Sequence, residues 1–158
     1  MVQRDFISML QEFAGNRILV CAFLAWFSAQ LIKYVIDGLR HRGWRVKSLF
    51  SSGGMPSSHT SSVMALSMGI GFSQGFGTAV FALSAVFALI VMYDAAGVRQ
   101  ETGKQGIAIN SILDWLASEQ PGSDVEDANM KERVGHSPSE VLAGAVLGLL
   151  WSVIFFVL

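Results

Sequence analysis

The chain predicts an all-α, polytopic membrane helix bundle of about four transmembrane helices, with a short N-terminal amphipathic helix ahead of them. Three observations carry this. Of 158 residues, 52% are hydrophobic and only 15% are charged, where a soluble domain carries about a quarter charged residues. The charge is missing in blocks. From Ser48 through Tyr93 the one side chain of the Asp, Glu, Lys, Arg or His type is His59, and from Val141 through Leu158 there is none. Runs of roughly 18 or more apolar residues read as membrane spans, because ~20 residues at ~1.5 Å rise cross the hydrocarbon. The length suits one integral membrane domain, residues 1–158.

The elements follow in order. Phe6, Met9, Leu10 and Phe13 recur at helical spacing beside Arg4, Asp5, Gln11 and Glu12, which predicts the interfacial amphipathic helix. The first span runs from Ile18 to about Ile36 and carries Lys33 near its end. A basic loop, Asp37 to Pro56, holds Arg40, Arg42, Arg45 and Lys47 before turning glycine-rich at Gly53-Gly54. The uncharged region beyond is too long for one crossing. Turn formers between Gly71 and Gly77 divide it into spans of about Ser57 to Gln74 and Phe76 to Asp94. The second span is rich in Ser, Ala and Gly, which lets helix backbones approach closely in lipid. A polar stretch from Ala95 to Pro138 contains an amphipathic helix around Ile107, Ile112, Leu113 and Leu116, with Trp115 as interfacial anchor. Its acidic part, Glu119 to Asn129, contains Pro121-Gly122. The last span is Ser139 to Leu158, with Gly144-x-x-x-Gly148 as a packing face.

Composition also excludes. A net charge of −1 and the lack of a basic tract leave nothing to bind nucleic acid. Cys21 alone makes neither a disulfide framework nor a thiolate metal site, and it reads as a small buried hydrophobe. The N-terminus lacks the pattern of a removable signal peptide. Three histidines and several carboxylates raise the question of a metal, but no His-Glu-x-x-His or similar pair occurs. Helix N-termini also repel cations. We expect no metal and no other cofactor.

Up-and-down order places Lys33, Arg40, His59, Asp94, Arg99, His136 and Glu140 on one side of the membrane, with both termini on the other. Ser137-Pro138-Ser139-Glu140 reads as N-cap, N1, N2 and the N3 acid of a capping box. Glu140 then either satisfies the backbone at the start of the last span or accepts a hydrogen bond from His136. In the second case it fixes the tautomer that leaves the other nitrogen free to attack. One carboxylate can do both. His59 likewise is either incidental to the helix start at Pro56-Ser57-Ser58 or functional. An ionisable group at the edge of a chargeless run favours function, and a helix N-terminus favours an anion there. Lys33 can snorkel from its span, or join Arg40, nearly two turns on, at one anion. Asp94 and Arg99 read first as an ion pair closing the third span, and second as a source of a phosphate contact through Arg99.

These segments resemble a known family. Pro56-Ser57-Ser58-His59 and Gly135-His136-Ser137-Pro138-Ser139-Glu140-Val141-Leu142-Ala143-Gly144-Ala145 are similar to the second and third signatures of the type 2 phosphatidic acid phosphatase superfamily, and Lys33 through Arg40 looks like the first. Pro-Ser-Ser-His-Thr and Asp-Ala-Ala-Gly-Val-Arg resemble its small divergent branch, described as acid phosphatase/vanadium-dependent haloperoxidase-related. The resemblance covers nearly the whole chain. It implies a metal-independent membrane phosphatase acting on a lipid phosphate or pyrophosphate monoester. His136 would be the nucleophile that becomes a phosphohistidine, Glu140 its orienter and His59 the general acid and then base. Lys33, Arg40, Ser57 and the backbone N–H groups around Ser57 and Ser58 would hold the phosphate.

The chain departs from the family pattern in three places. The proline after the first signature is His41, the glycine of the second is Ser58, and the arginine six before the nucleophile is Met130. Lys131, Arg133 or Arg99 is left to supply the missing positive charge. The alternative class is a non-catalytic membrane protein that binds a phosphate headgroup or serves a structural role. The expected partners are the bilayer, the lipid phosphate and, from the glycine-rich faces, a second copy of the chain. Lys and Arg are denser on the motif side (Arg40, Arg42, Arg45, Lys47, Arg99, Lys104, Lys131, Arg133) than on the other (Arg4, Arg17). The positive-inside rule then gives an integral protein of the cell membrane with its site on the cytoplasmic face.

Overall fold

The computed structural model describes residues 5–41, 54–119 and 136–158. Among them the chain forms α1 (Phe6–Gly15), α2 (Arg17–His41), α3 (Ser58–Gln74), α4 (Ala79–Ala96), α5 (Val98–Glu119) and α6 (Pro138–Phe156), with no strand among the described residues. The chain is an all-helical membrane bundle.

Local chemistry sets most of the boundaries. Asn16 links the first two helices, its Oδ1 accepting from the Leu19 N–H at 3.1 Å as a side-chain cap does. Ser57 caps α3 by accepting from the Thr60 N–H. Gly75, at φ 98°, ends that helix in a backbone conformation that suits glycine. Thr78 caps α4 by accepting from the Phe81 N–H at 3.2 Å, so α4 begins at Ala79 rather than at Phe76. Ser137 and Glu140 form the complete capping box at α6, with Pro138 in its first turn.

Two helices are longer than expected. α2 runs on past Ile36 to His41, because Asp37 and Arg40 are compatible with a helix whose last turns leave the hydrocarbon, and residues 42–53 of the expected basic loop lie outside the described residues. α5 begins at Val98, directly after the Gly97 turn that ends α4. The amphipathic segment around Ile107 to Leu116 is therefore its second half, and it leaves Ile107, Ile112 and Trp115 exposed. The acidic stretch beyond it falls almost wholly outside the described residues.

α3 is the central helix, packed against α2, α6 and α4. Bilayer lipid is as apolar as leucine, so close packing and interhelical hydrogen bonds hold such helices together. Each is visible. Cys21, Ala25 and Ala65 form a small-residue core, covered by Trp151, Phe155 and Phe156. Ser61 Oγ donates to the Ala25 carbonyl at 3.0 Å, and Trp151 Nε1 donates to Ser28 Oγ at 2.8 Å. Ser84 Oγ donates to Ser67 Oγ at 3.3 Å and ties α4 to α3.

The α3–α6 contact is the tightest. A Cβ added at Gly144 would fall on the Ser57 carbonyl oxygen, and one at Gly148 on that of Ser61. One turn further, Ser152 Oγ donates to the Ala65 carbonyl at 3.1 Å. Residues 144, 148 and 152 thus pair with 57, 61 and 65 in constant register, so the two helices run parallel. Gly144 and Gly148 are thus packed against α3 within the chain.

The stretches Arg17–Leu39, Ala79–Leu116 and Pro138–Phe156 are each long and apolar enough to cross a membrane. α3, with 17 residues, lies at the short limit of a span, and its neighbours surround it. α1 buries none of its residues and exposes Phe6, Leu10 and Phe13, as an interfacial helix does.

Candidate active site

Parallel packing brings the N-termini of α3 and α6 side by side. The Ser57 N–H donates to the Glu140 carbonyl at 2.9 Å and locks the two helix starts together. Two positive helix ends therefore lie side by side, which is a local condition for binding an anion. Lys33 enters from the last turns of α2. It is only 4% exposed, donates to Ser58 Oγ at 3.3 Å, and is close enough to Glu140 to interact with its charge.

His136 is 1% exposed. Its Nδ1 lies 2.9 Å from Glu140 Oε2, which also accepts from the Ser137 N–H at 3.2 Å. A carboxylate accepts only, so Nδ1 carries a proton, and in the neutral ring Nε2 is the nitrogen with the lone pair. Nε2 is buried and has no hydrogen-bond partner among the described residues. The carboxylate serves the capping box and the imidazole together, and the two readings of Glu140 describe one geometry.

Among the residues expected at the site, the structure gathers Lys33, Ser57, Ser58, Glu140 and His136. Ser57 is fully buried, and its hydroxyl accepts from Thr60 Oγ1 at 3.0 Å as well as from the Thr60 N–H. His59 is exposed on the first turn of α3, at the rim of this group and not inside it. α2 does continue through Arg40, which keeps it nearly two turns above Lys33, but the side chains of Arg40 and Arg99 lie outside the described ones. Met130, Lys131 and Arg133 also lie outside the described residues. Asp94 is half-buried near the end of α4.

Sequence reasoning missed two contributors. Thr60 is a buried partner of Ser57. Gln30, one turn before Lys33 on α2, is 8% exposed, and its Oε1 lacks a partner among the described residues. A glutamine inside an apolar span was the available signal. Gly144 was noted only for packing, yet its missing side chain is what lets α6 approach Ser57.

The chain is similar to the "Uncharacterized membrane protein YuiD" of Bacillus subtilis (strain 168), at 36% identity over 151 residues, covering 90% of this chain and 96% of that one. No solved structure matches. The family model described as Divergent PAP2 family matches residues 14–151, from the end of α1 almost to the end of α6. That match takes in every residue of the pocket, and the chain belongs to the Divergent PAP2 family.

Proposed function

We propose that this protein is a metal-independent membrane phosphatase that hydrolyses a lipid phosphate or pyrophosphate monoester through a phosphohistidine. The observation that carries this reading is His136, whose Nδ1 is held by Glu140 while Nε2 is buried and unpartnered among the described residues. Lys33 and the paired N-termini of α3 and α6 supply the positive field that phosphoryl transfer needs, since such catalysis is mostly positioning and charge neutralisation.

In the first step His136 Nε2 forms a bond to phosphorus as the bond to the leaving oxygen breaks. His59, exposed at the rim, protonates that oxygen. In the second step His59 takes a proton from water, the water oxygen bonds to phosphorus, and the P–N bond breaks to restore His136. The Glu140 carboxylate balances the positive charge on the substituted imidazole. Arg40, Arg99, Lys131 and Arg133 are the candidates to complete the phosphate contacts.

A second reading, a headgroup binder without turnover, draws on Met130, which stands where the family has a bidentate guanidinium. Purified protein decides between them. The phosphatase reading expects phosphate release from lipid phosphates that His136→Ala abolishes, and denaturation in alkali, where a P–N bond survives, should trap label from substrate on His136. Equal, low release from both forms leaves the binder.

A further inference from the structure

The geometry points to an acyl-chain site joined to this pocket. It lies in the groove between α2 and α6 and takes one chain of a leaflet phospholipid whose headgroup is a phosphate monoester. The inference rests on reading the pocket as a phosphate site, and it adds where the rest of the substrate lies.

The groove has a volume of about 590 Å³ and an almost wholly apolar wall. Its upper end is built from residues beside the pocket residues on all three segments. Ile32 precedes Lys33 on α2 and Ile36 lies about one turn beyond it, Pro56 precedes Ser57, and Ser139 precedes Glu140. From Ser139 the groove descends α6 past Val146 to Leu150, a rise of roughly 16 Å at ~1.5 Å per residue. That is about half of the ~30 Å hydrocarbon core, the depth of a single leaflet.

Polarity divides sharply along this path. One end offers a buried lysine and two helix N-termini, which complement an anion, and the rest offers hydrocarbon. Only an amphiphile satisfies both ends, and one leaflet of depth fits an acyl chain of a bilayer lipid better than a much longer polyprenyl tail. The small residue Ala143, with the exposed ridge Val146 and Leu150, leaves the groove open to a lipid arriving sideways from the bilayer. The apolar pocket beside Phe13, Phe23 and Trp26 is of similar character, but it lies toward the opposite end of α2, away from Lys33, and the nearby Arg17 donates to the Phe155 carbonyl.

The test uses full-length protein in phosphatidylcholine vesicles carrying phosphatidate with a photoreactive acyl chain. The same chain on phosphatidylcholine serves as the comparison probe. Crosslinks are expected on the peptides bearing Ile32 and Val146, about tenfold above the phosphatidylcholine probe, which corresponds to about 1.4 kcal/mol of headgroup coupling. Val146→Trp fills the groove. It should remove most of that excess and lower the ratio of long-chain to short-chain phosphate hydrolysis about tenfold. Leu83→Trp on the exposed face of α4 should leave both readouts unchanged.

Equal labelling by the two probes overturns the site, as does Val146→Trp behaving like Leu83→Trp. Copy-to-copy crosslinks through the groove would make a second chain its occupant and overturn it too. Labelling needs no turnover. Headgroup-dependent crosslinks without phosphate release would therefore keep the groove and remove the phosphatase reading instead.

Discussion

Replacing Glu140 by glutamine separates the two duties of its carboxylate. The side chain keeps its size and an acceptor oxygen, so the change removes charge and little else. Oε2 accepts from His136 Nδ1 at 2.9 Å and from the Ser137 N–H at 3.2 Å. Hydrogen bonds to a charged group contribute ~1.5–3 kcal/mol and neutral ones ~0.5–1.5, so the difference at His136 is about 1–2 kcal/mol. At 1.36 kcal/mol per decade, Glu140→Gln should slow phosphate release roughly 5- to 30-fold.

Ser137→Ala is the companion variant. It removes the other half of the capping box, a long contact of 3.4 Å to the Glu140 N–H, and leaves the carboxylate in place. It should cost about 0.5–1 kcal/mol of stability, with little change in rate. The assay is phosphate release from a lipid phosphate in detergent, read beside thermal unfolding of each variant. If Glu140→Gln loses no more activity than Ser137→Ala at matched stability, the carboxylate is only a cap. His136 is then not an oriented nucleophile.

Other outcomes follow from the packing and the charge. Gly144→Ala drives a methyl group into the Ser57 carbonyl and should destabilise by about 1–3 kcal/mol. Gly106→Ala on α5 meets no atom within 4 Å and should be neutral or raise stability slightly in the same melting experiment. Lys33→Met should abolish most phosphate release yet leave a folded protein, since it removes the desolvation cost of a buried ammonium held to Ser58 Oγ by a long 3.3 Å bond. Loss of the fold instead would make Lys33 structural. For sidedness, an Arg45→Cys variant in a Cys21-free background should react with an impermeant thiol reagent only from the cytoplasmic face. Reaction only from outside reverses the orientation.

What was legible in the sequence was what is local or long and uniform. The capping box at Ser137 to Glu140 spans three residues, so its hydrogen bonds could be read before any tertiary structure was known. The apolar blocks gave the helices, and the glycine cluster at Gly71 to Gly77 gave their break. The pairing of helix starts was not readable in the same way. Ser57 and Glu140 are far apart in sequence, and their hydrogen bond depends on Gly144 lacking a side chain. Helix ends also moved where polar residues sit in a final turn. Asp37 and Arg40 look like loop in a hydropathy profile, yet they continue α2 to His41. The exposure of His59 was hidden for a related reason, since a helix start does not say which way each first-turn side chain faces.

The contact of Gly144, Gly148 and Ser152 with Ser57, Ser61 and Ala65 makes the pocket behave as a ratchet. Each notch is one helical turn, about 5.4 Å, while the hydrogen bond joining the two helix starts is 2.9 Å long. Sliding α6 along α3 by less than a notch puts side chains onto backbone carbonyls, and sliding by a full notch breaks the bond from the Ser57 N–H to the Glu140 carbonyl. The pocket has no intermediate setting. Damage to this seam should divide a population into molecules with an intact pocket and molecules with none, rather than weaken every pocket by degrees.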